Sequence, residues 1–254
     1  MRIVAYLKTP REVPIYYRSI ILGIIKKALE LEDFAYFKML YNAEKSLKPF
    51  TFALLFNKFF IEGDFIKVEG TSKLIISTGD SEFGIKLYSG LLKLKNKKLG
   101  STSSFGGFEI TSVVIPKSSV ISSNKVLIKT LSPLVVVTKD KKPILPKEIE
   151  NGSPDNFVIY DTERFNEELN YISSCALKKP VNLRFTPVSG RKVVVKHRIG
   201  SENNPESRMI RLVAFKGTFY LEGDPEDLNE LYRMGIGFRR SQGFGCIEVV
   251  QDTS

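Results

Sequence analysis

Apolar residues recur along this chain in two periods, and the changes from one period to the other mark out its elements. Residues 2–8 read as a first extended run, followed by a loop punctuated by Pro10 and Pro14. From 15 to 31 the spacing becomes helical. Ile20, Ile21, Ile24, Ile25, Ala28 and Leu29 share one stripe, which leaves Lys26 and Lys27 off it on a solvent-facing side. A loop carrying Tyr36, Lys38 and Tyr41 then leads into aromatic-rich extended runs over 50–56 and 59–68, and a third over 73–77. Asp80 is placed to cap a helix running to Lys95, whose lysine-rich end complements the helix dipole. An extended run over 108–115 closes this half.

After a serine-rich polar stretch over 116–124, read as a boundary, the same grammar returns. Extended segments over 126–137 precede a helix over 162–177, and strands over 181–186, 192–198 and 209–222 follow. A short helix over 225–234, capped by Asp224, leads through a glycine-rich loop to a closing strand over 246–250. Each half reads strand, helix, strands, helix, strand, the order of a ferredoxin-like β-α-β-β-α-β module. The predicted fold class is α+β, with two tandem ferredoxin-like (RRM-like) domains over 1–120 and 121–254.

Charge narrows the choice of partner. The formal net charge of +10 and pI near 9.4 come from 38 basic against 28 acidic residues, which favours a polyanion, although lysine-rich thermostable proteins share that balance. Cys175 and Cys246 lie far apart with no Cys-x-x-Cys and no nearby histidine, so no metal site or cofactor is implied, and buried thiols in a reducing compartment are expected. The N-terminus lacks a signal peptide's apolar core, and no apolar run is long enough to span a bilayer, so a cytoplasmic protein without membrane contact is expected.

The segment Gly235-Ile236-Gly237-Phe238-Arg239-Arg240-Ser241-Gln242-Gly243-Phe244-Gly245 sets four glycines around two arginines. Glycines permit positive φ and close approach, and guanidinium forks suit phosphate oxygens, so the segment reads as an RNA-backbone clamp or as a glycine-rich turn before the last strand. It is not a dinucleotide fingerprint, because Arg240 stands where the third glycine is needed and the loop joins a helix to a strand.

That bracket resembles the C-terminal glycine-rich loop of the RAMP superfamily of CRISPR systems, with its Gly-apolar-Gly, five residues, Gly-apolar-Gly pattern. Leu40-Tyr41-Asn42 and Lys48-Pro49-Phe50-Thr51-Phe52, near the other end, look like the repeat-processing endoribonucleases of that superfamily, the Cas family numbered six. The resemblance implies an endoribonuclease that cuts CRISPR precursor transcripts within their repeats, without metal. The 2′-hydroxyl attacks the adjacent phosphate and a 2′,3′-cyclic phosphate remains.

Many relatives use a histidine after the first helix, a tyrosine on that helix, and a lysine before the Phe-Thr strand. Here Tyr41 stands near the first position, Lys26 near the second, and Lys48 keeps the third. The resemblance thus implies a catalytic set of Lys26, Lys48, Tyr41 and Arg239 that lacks the imidazole. The alternative it leaves open is a catalytically inactive RAMP protein that binds repeat RNA or serves as an effector-complex subunit.

The single histidine, His197, lies in the basic extended run over 192–198, where alternation puts Val193, Val195 and His197 on one face and Lys192, Val194, Lys196 and Arg198 on the other. His197 is read as a packing residue. Arg191, Lys192, Lys196 and Arg198 suit phosphates along an RNA, or equally a charged edge strand that resists aggregation. Lys27, Gly235, Gly237, Arg240, Gly243 and Gly245 complete the expected RNA-binding set. Phe59, Phe60 and Ile61 suit either a core strand or a homodimer contact.

Overall fold

The computed structural model describes residues 1–42, 47–101, 105–149, 157–200 and 207–252. The chain forms two compact units, one of Met1–Lys117 with Lys196–Ile210, the other of Ser118–Val195 with Arg211–Ser254. Residues 196–210 of the second half therefore group with the first unit. Among the described residues no helix is long and apolar enough to cross a membrane.

The first unit runs β1 (Arg2–Lys8), β2 (Glu12–Pro14), α1 (Tyr17–Glu32), α2 (Phe34–Asn42), β3 (Phe50–Glu62), β4 (Phe65–Thr78), α3 (Ser81–Lys93), β5 (Lys98–Leu99) and β6 (Phe108–Val114). Its antiparallel sheet has the order β2-β4-β1-β6-β5, with β3 also paired to β4. The series β3-β4-β1-β6, with α1 and α3 in the connections, is the ferredoxin-like topology. On α1, Ile21, Ile24, Ile25, Ala28 and Leu29 are buried because three- and four-residue spacing puts them on one face. Asp80 caps α3 by accepting from the Phe83 N–H at 2.9 Å.

Three expectations for this unit are corrected. Residues 34–42, read as a loop, form α2. Asp33 Oδ1 accepts from the Tyr36 N–H at 2.9 Å, and Phe37 and Tyr41 pair one turn apart with centroids 5.1 Å apart. The single run expected over 59–68 is broken by a turn at Gly63 and Asp64, where Gly63 takes φ +57°, so β3 and β4 form one long hairpin. Phe59, Phe60 and Ile61 are 52%, 60% and 66% exposed at the end of β3, so a core strand does not explain them.

The second unit contains β7 (Lys125–Thr130), β8 (Ile144–Leu145), β9 (Ile159–Tyr160), α4 (Thr162–Leu177), β10 (Arg184–Ile199), β11 (Arg208–Glu222), α5 (Pro225–Met234) and β12 (Ile247–Asp252). The sheet order is β10-β11-β7-β12, so β7-α4-β10-β11-α5-β12 repeats the topology of the first unit. Its core is a cluster of Phe165, Phe185, Phe215 and Phe219, with neighbouring ring centroids 4.4 to 6.0 Å apart.

Side-chain amides hold α4 in place. Asn166 and Asn170 each bond both the N–H and the C=O of one residue, Phe185 and Leu183 respectively. The two strands expected over 181–186 and 192–198 are one strand, β10, and residues 181–183 lie before it. Within the serine-rich stretch, Ser122 and Ser123 donate to Asp252, and these bonds bring its carboxyl down to about 2.

Candidate nucleic-acid interface

Three of the four expected catalytic residues meet in the first unit. Lys26 Nζ on α1 lies 4.7 Å from the centroid of the Tyr41 ring, and Lys48 Nζ, just before β3, lies 5.2 Å from the same centroid. The fold brings them together by local devices. Asp33 joins α1 to α2 and takes a 2.6 Å bond from Lys86; that bond, with the one from the Tyr36 N–H, holds the Asp33 carboxyl below its ordinary value. That corner directs the last turn of α2 back along α1. Lys48 Nζ donates to the Leu40 carbonyl, and Thr78 Oγ1 donates to Pro49 O at 2.6 Å, which pins the approach to β3.

The electrostatics of this cluster differ from those of a solvated lysine face. Lys26 is half-buried, against the expectation that it faces solvent, because α2 packs over its side of α1; Lys27 is exposed as expected. Burial pushes the Lys26 amine below its ordinary pKa, and Lys48 is lowered by burial and then by the charge of Lys26. Burial pushes the Tyr41 phenol up, with a smaller contribution from Tyr36. The Tyr41 hydroxyl is buried and has no hydrogen-bond partner among the described residues. An un-ionised phenol can donate a hydrogen bond but is a poor proton acceptor.

Lys27, one residue on, faces elsewhere. It lines a cavity of about 340 Å³ in the first unit, with Tyr16, Ser19, Ile20, Gly23, Leu99 and Arg198 among its walls. The Arg198 guanidinium lies 3.8 Å from the centroid of the Tyr16 ring. Lys196 pairs with Asp64 at 2.7 Å. Sequence pattern marks neither Tyr16 nor Gly23 as a site residue; its one signal here is a glycine in the middle of an otherwise strong helix pattern.

On β10, the predicted alternation holds: Val193 and Val195 pack against Val135, Ala214 and Phe244, while Val194 is 56% exposed. His197 is buried, as a packing residue should be. Arg191 is exposed, and Lys192 Nζ lies 5.8 Å from the Tyr160 ring centroid.

The glycine-rich loop follows α5 and is locked against the segment after β7. Gly245 N donates to Pro133 O, Ile236 N to Gly245 O and Phe238 N to Val135 O, at 2.8 to 2.9 Å. Gly235, Gly237, Gly243 and Gly245 all take positive φ. At Gly245 an added Cβ would lie 1.7 Å from the Ile236 carbonyl oxygen, so backbone packing alone requires glycine there. The two arginines have separate environments. Arg239, itself at φ +61°, donates to Gln242 Oε1 at 2.7 Å. Arg240 is 7% exposed and donates to Gly235 O at 3.4 Å, and burial lowers its pKa to about 10. Its guanidinium braces the loop from within, which corrects the reading of Arg240 as a surface phosphate fork.

Two units of one β-α-β-β-α-β order, with a lysine pair on a half-buried tyrosine and a locked C-terminal glycine-rich loop, define a tandem ferredoxin-like protein. Residues 115–249 match the family described as CRISPR associated protein Cas6, C-terminal, and the chain belongs to the Cas6 family. The curated CRISPR-associated endoribonuclease Cas6 1 of Methanocaldococcus jannaschii is 26% identical over 264 residues, covering 99% of this chain and 94% of that protein.

Solved structures agree in fold. One titled as the characterization of a Cas6-related gene from Pyrococcus furiosus gives a TM-score of 0.74 at 20% identity, covering 100% of this chain and 99% of that one. Another, titled as a RAMP protein binding different RNA substrates, gives 0.72 at 17% identity, covering 99% and 100%.

Proposed function

We propose that the protein is a metal-independent endoribonuclease that cuts CRISPR precursor transcripts within their repeats to release guide RNAs. The observation that carries this reading is the convergence of Lys26 and Lys48 on the Tyr41 ring. The name of the Methanocaldococcus jannaschii relative, an endoribonuclease, supports it.

The reaction needs a base, an acid and stabilisation of phosphate charge. The 2′-oxygen attacks phosphorus as its proton passes to a neutral amine, the bond from phosphorus to the 5′-oxygen breaks, and that oxygen takes a proton from an ammonium. The products are a 2′,3′-cyclic phosphate and a 5′-hydroxyl. Lys26 and Lys48 suit the two proton-transfer roles because burial lowers both and the charge of Lys26 lowers Lys48 further, which eases proton exchange at either amine. Tyr41, un-ionised, offers its orphaned hydroxyl as a hydrogen-bond donor. Lys27, Arg191, Lys192, Lys196, Arg198 and Arg239 contact RNA phosphates, and Arg240 with Gly235, Gly237, Gly243 and Gly245 serves RNA through the shape of the loop.

The test is incubation with end-labelled repeat RNA in EDTA, beside the same RNA carrying a 2′-deoxy group at the scissile nucleotide. The reading expects one cut in the first RNA, ending in a cyclic phosphate, and none in the second. Tight binding without product would identify an inactive RAMP protein instead.

A further inference from the structure

The geometry points to a pocket on α1 that takes the base of one unpaired nucleotide of the bound RNA. This rests on the RNA-binding part of the proposed function and adds a site distinct from the Lys26–Tyr41–Lys48 cluster. The cavity, about 340 Å³, is at the small end of the range that ligand pockets occupy and suits a single nucleotide. Its make-up is that of a base pocket. Ile20, Ile24 and Leu99 supply apolar surface, and Tyr16, with Arg198 stacked 3.8 Å from its ring centroid, supplies a flat π wall. Lys27 and Arg198 supply positive charge for the attached phosphate.

Gly23 is the independent observation. It lies in the middle of α1 and lines this cavity. Glycine in a helix interior is destabilising relative to alanine, so its presence asks for a reason. At Gly90, on α3, packing is the reason, since a Cβ there would lie 2.1 Å from the Ala28 carbonyl oxygen. Among the described residues, an added Cβ at Gly23 would meet nothing within 4 Å. No described neighbour forbids a side chain at Gly23, and what a side chain would fill is the cavity that Gly23 lines. The helix gives up stability to keep that space open, as a site for a planar guest requires.

The experiment compares wild-type protein with Gly23→Leu, which fills the cavity, and Gly23→Ala, a control for folding. Affinity is measured for intact repeat RNA and for a series in which each nucleotide in turn is made abasic. One abasic position is expected to weaken wild-type binding about tenfold, the effect of losing one stacked base. Gly23→Leu should weaken binding of intact RNA by a similar factor and lose nothing further at that position, with an unchanged salt slope and a melting temperature no lower than wild type. Equal affinity of Gly23→Leu and wild type for intact RNA would overturn the proposal, as would additive losses. Binding without cutting would defeat the nuclease reading and leave the pocket standing, whereas cutting with an indifferent Gly23→Leu would remove the pocket alone.

Discussion

Lys26 Nζ lies 4.7 Å from the centroid of the Tyr41 ring, and the burial that brings it there strips water from the ammonium group. The ring face returns part of that hydration, and the net effect still lowers the amine's pKa. The cluster is therefore held at some cost to folding.

That cost predicts a stabilising substitution. With its folded pKa below the ordinary value near 10.5, Lys26 binds fewer protons in the folded chain than in the unfolded one between those two values. Its burden is full below the lowered pKa and fades as pH rises toward 10.5. Lys26→Met should raise the melting temperature at pH 7, because it removes the desolvated charge. Calorimetry across pH should show the gain shrinking as wild-type Lys26 sheds its proton. A lower melting temperature at pH 7 would contradict this.

A base and an acid drawn from two lowered lysines predict a bell-shaped dependence of the cutting rate on pH. Both limbs should lie below the ordinary lysine value near 10.5, and they belong to the pair rather than to either residue. Single-turnover rates measured in EDTA across pH are the check; a rate flat through the alkaline range would remove lysine proton transfer.

The glycine-rich loop predicts unequal costs for its glycines. Gly245→Ala would put a Cβ 1.7 Å from the Ile236 carbonyl oxygen at φ +67°, and it should cost about 3 kcal/mol or more, through strain and overpacking together. Gly63→Ala, with φ +57° and nothing among the described residues within 4 Å of an added Cβ, should cost about 1–2 kcal/mol. Urea midpoints would rank the two.

Ion pairing predicts opposite effects along β10. Arg198→Ala should weaken RNA binding and flatten its salt slope by about one unit, as loss of one phosphate contact does. Lys196 is already paired with Asp64 at 2.7 Å, so Asp64→Asn should tighten RNA binding at low salt. Salt titrations of the two variants decide this, and weaker binding by Asp64→Asn would contradict it.

How far the sequence reveals this depends on what each element answers to. The helices α4 and α5 follow the predicted spans 162–177 and 225–234, because apolar spacing and, for α5, the Asp224 cap are local signals. The short α2 is hidden because its cap, Asp33, also ends α1, and its aromatic residues read equally well as loop or strand. Chain-local periodicity places Lys26 in solvent because it carries no information about the second helix laid against it. Arg240 is buried for the same reason: its loop is closed by residues about a hundred positions earlier, at Pro133 and Val135. The positions of Lys26, Tyr41 and Lys48 were legible only through resemblance to a family.

The most direct measurement is the single-turnover cutting rate of labelled repeat RNA in EDTA by wild-type, Lys26→Ala and Lys48→Ala proteins, with affinity measured on the same samples. The account predicts that each substitution slows cutting by about 10²–10⁴-fold, the range for losing a general acid or base, while affinity changes far less. Rates that fall only in step with affinity would contradict it and leave the cluster as an RNA-binding surface.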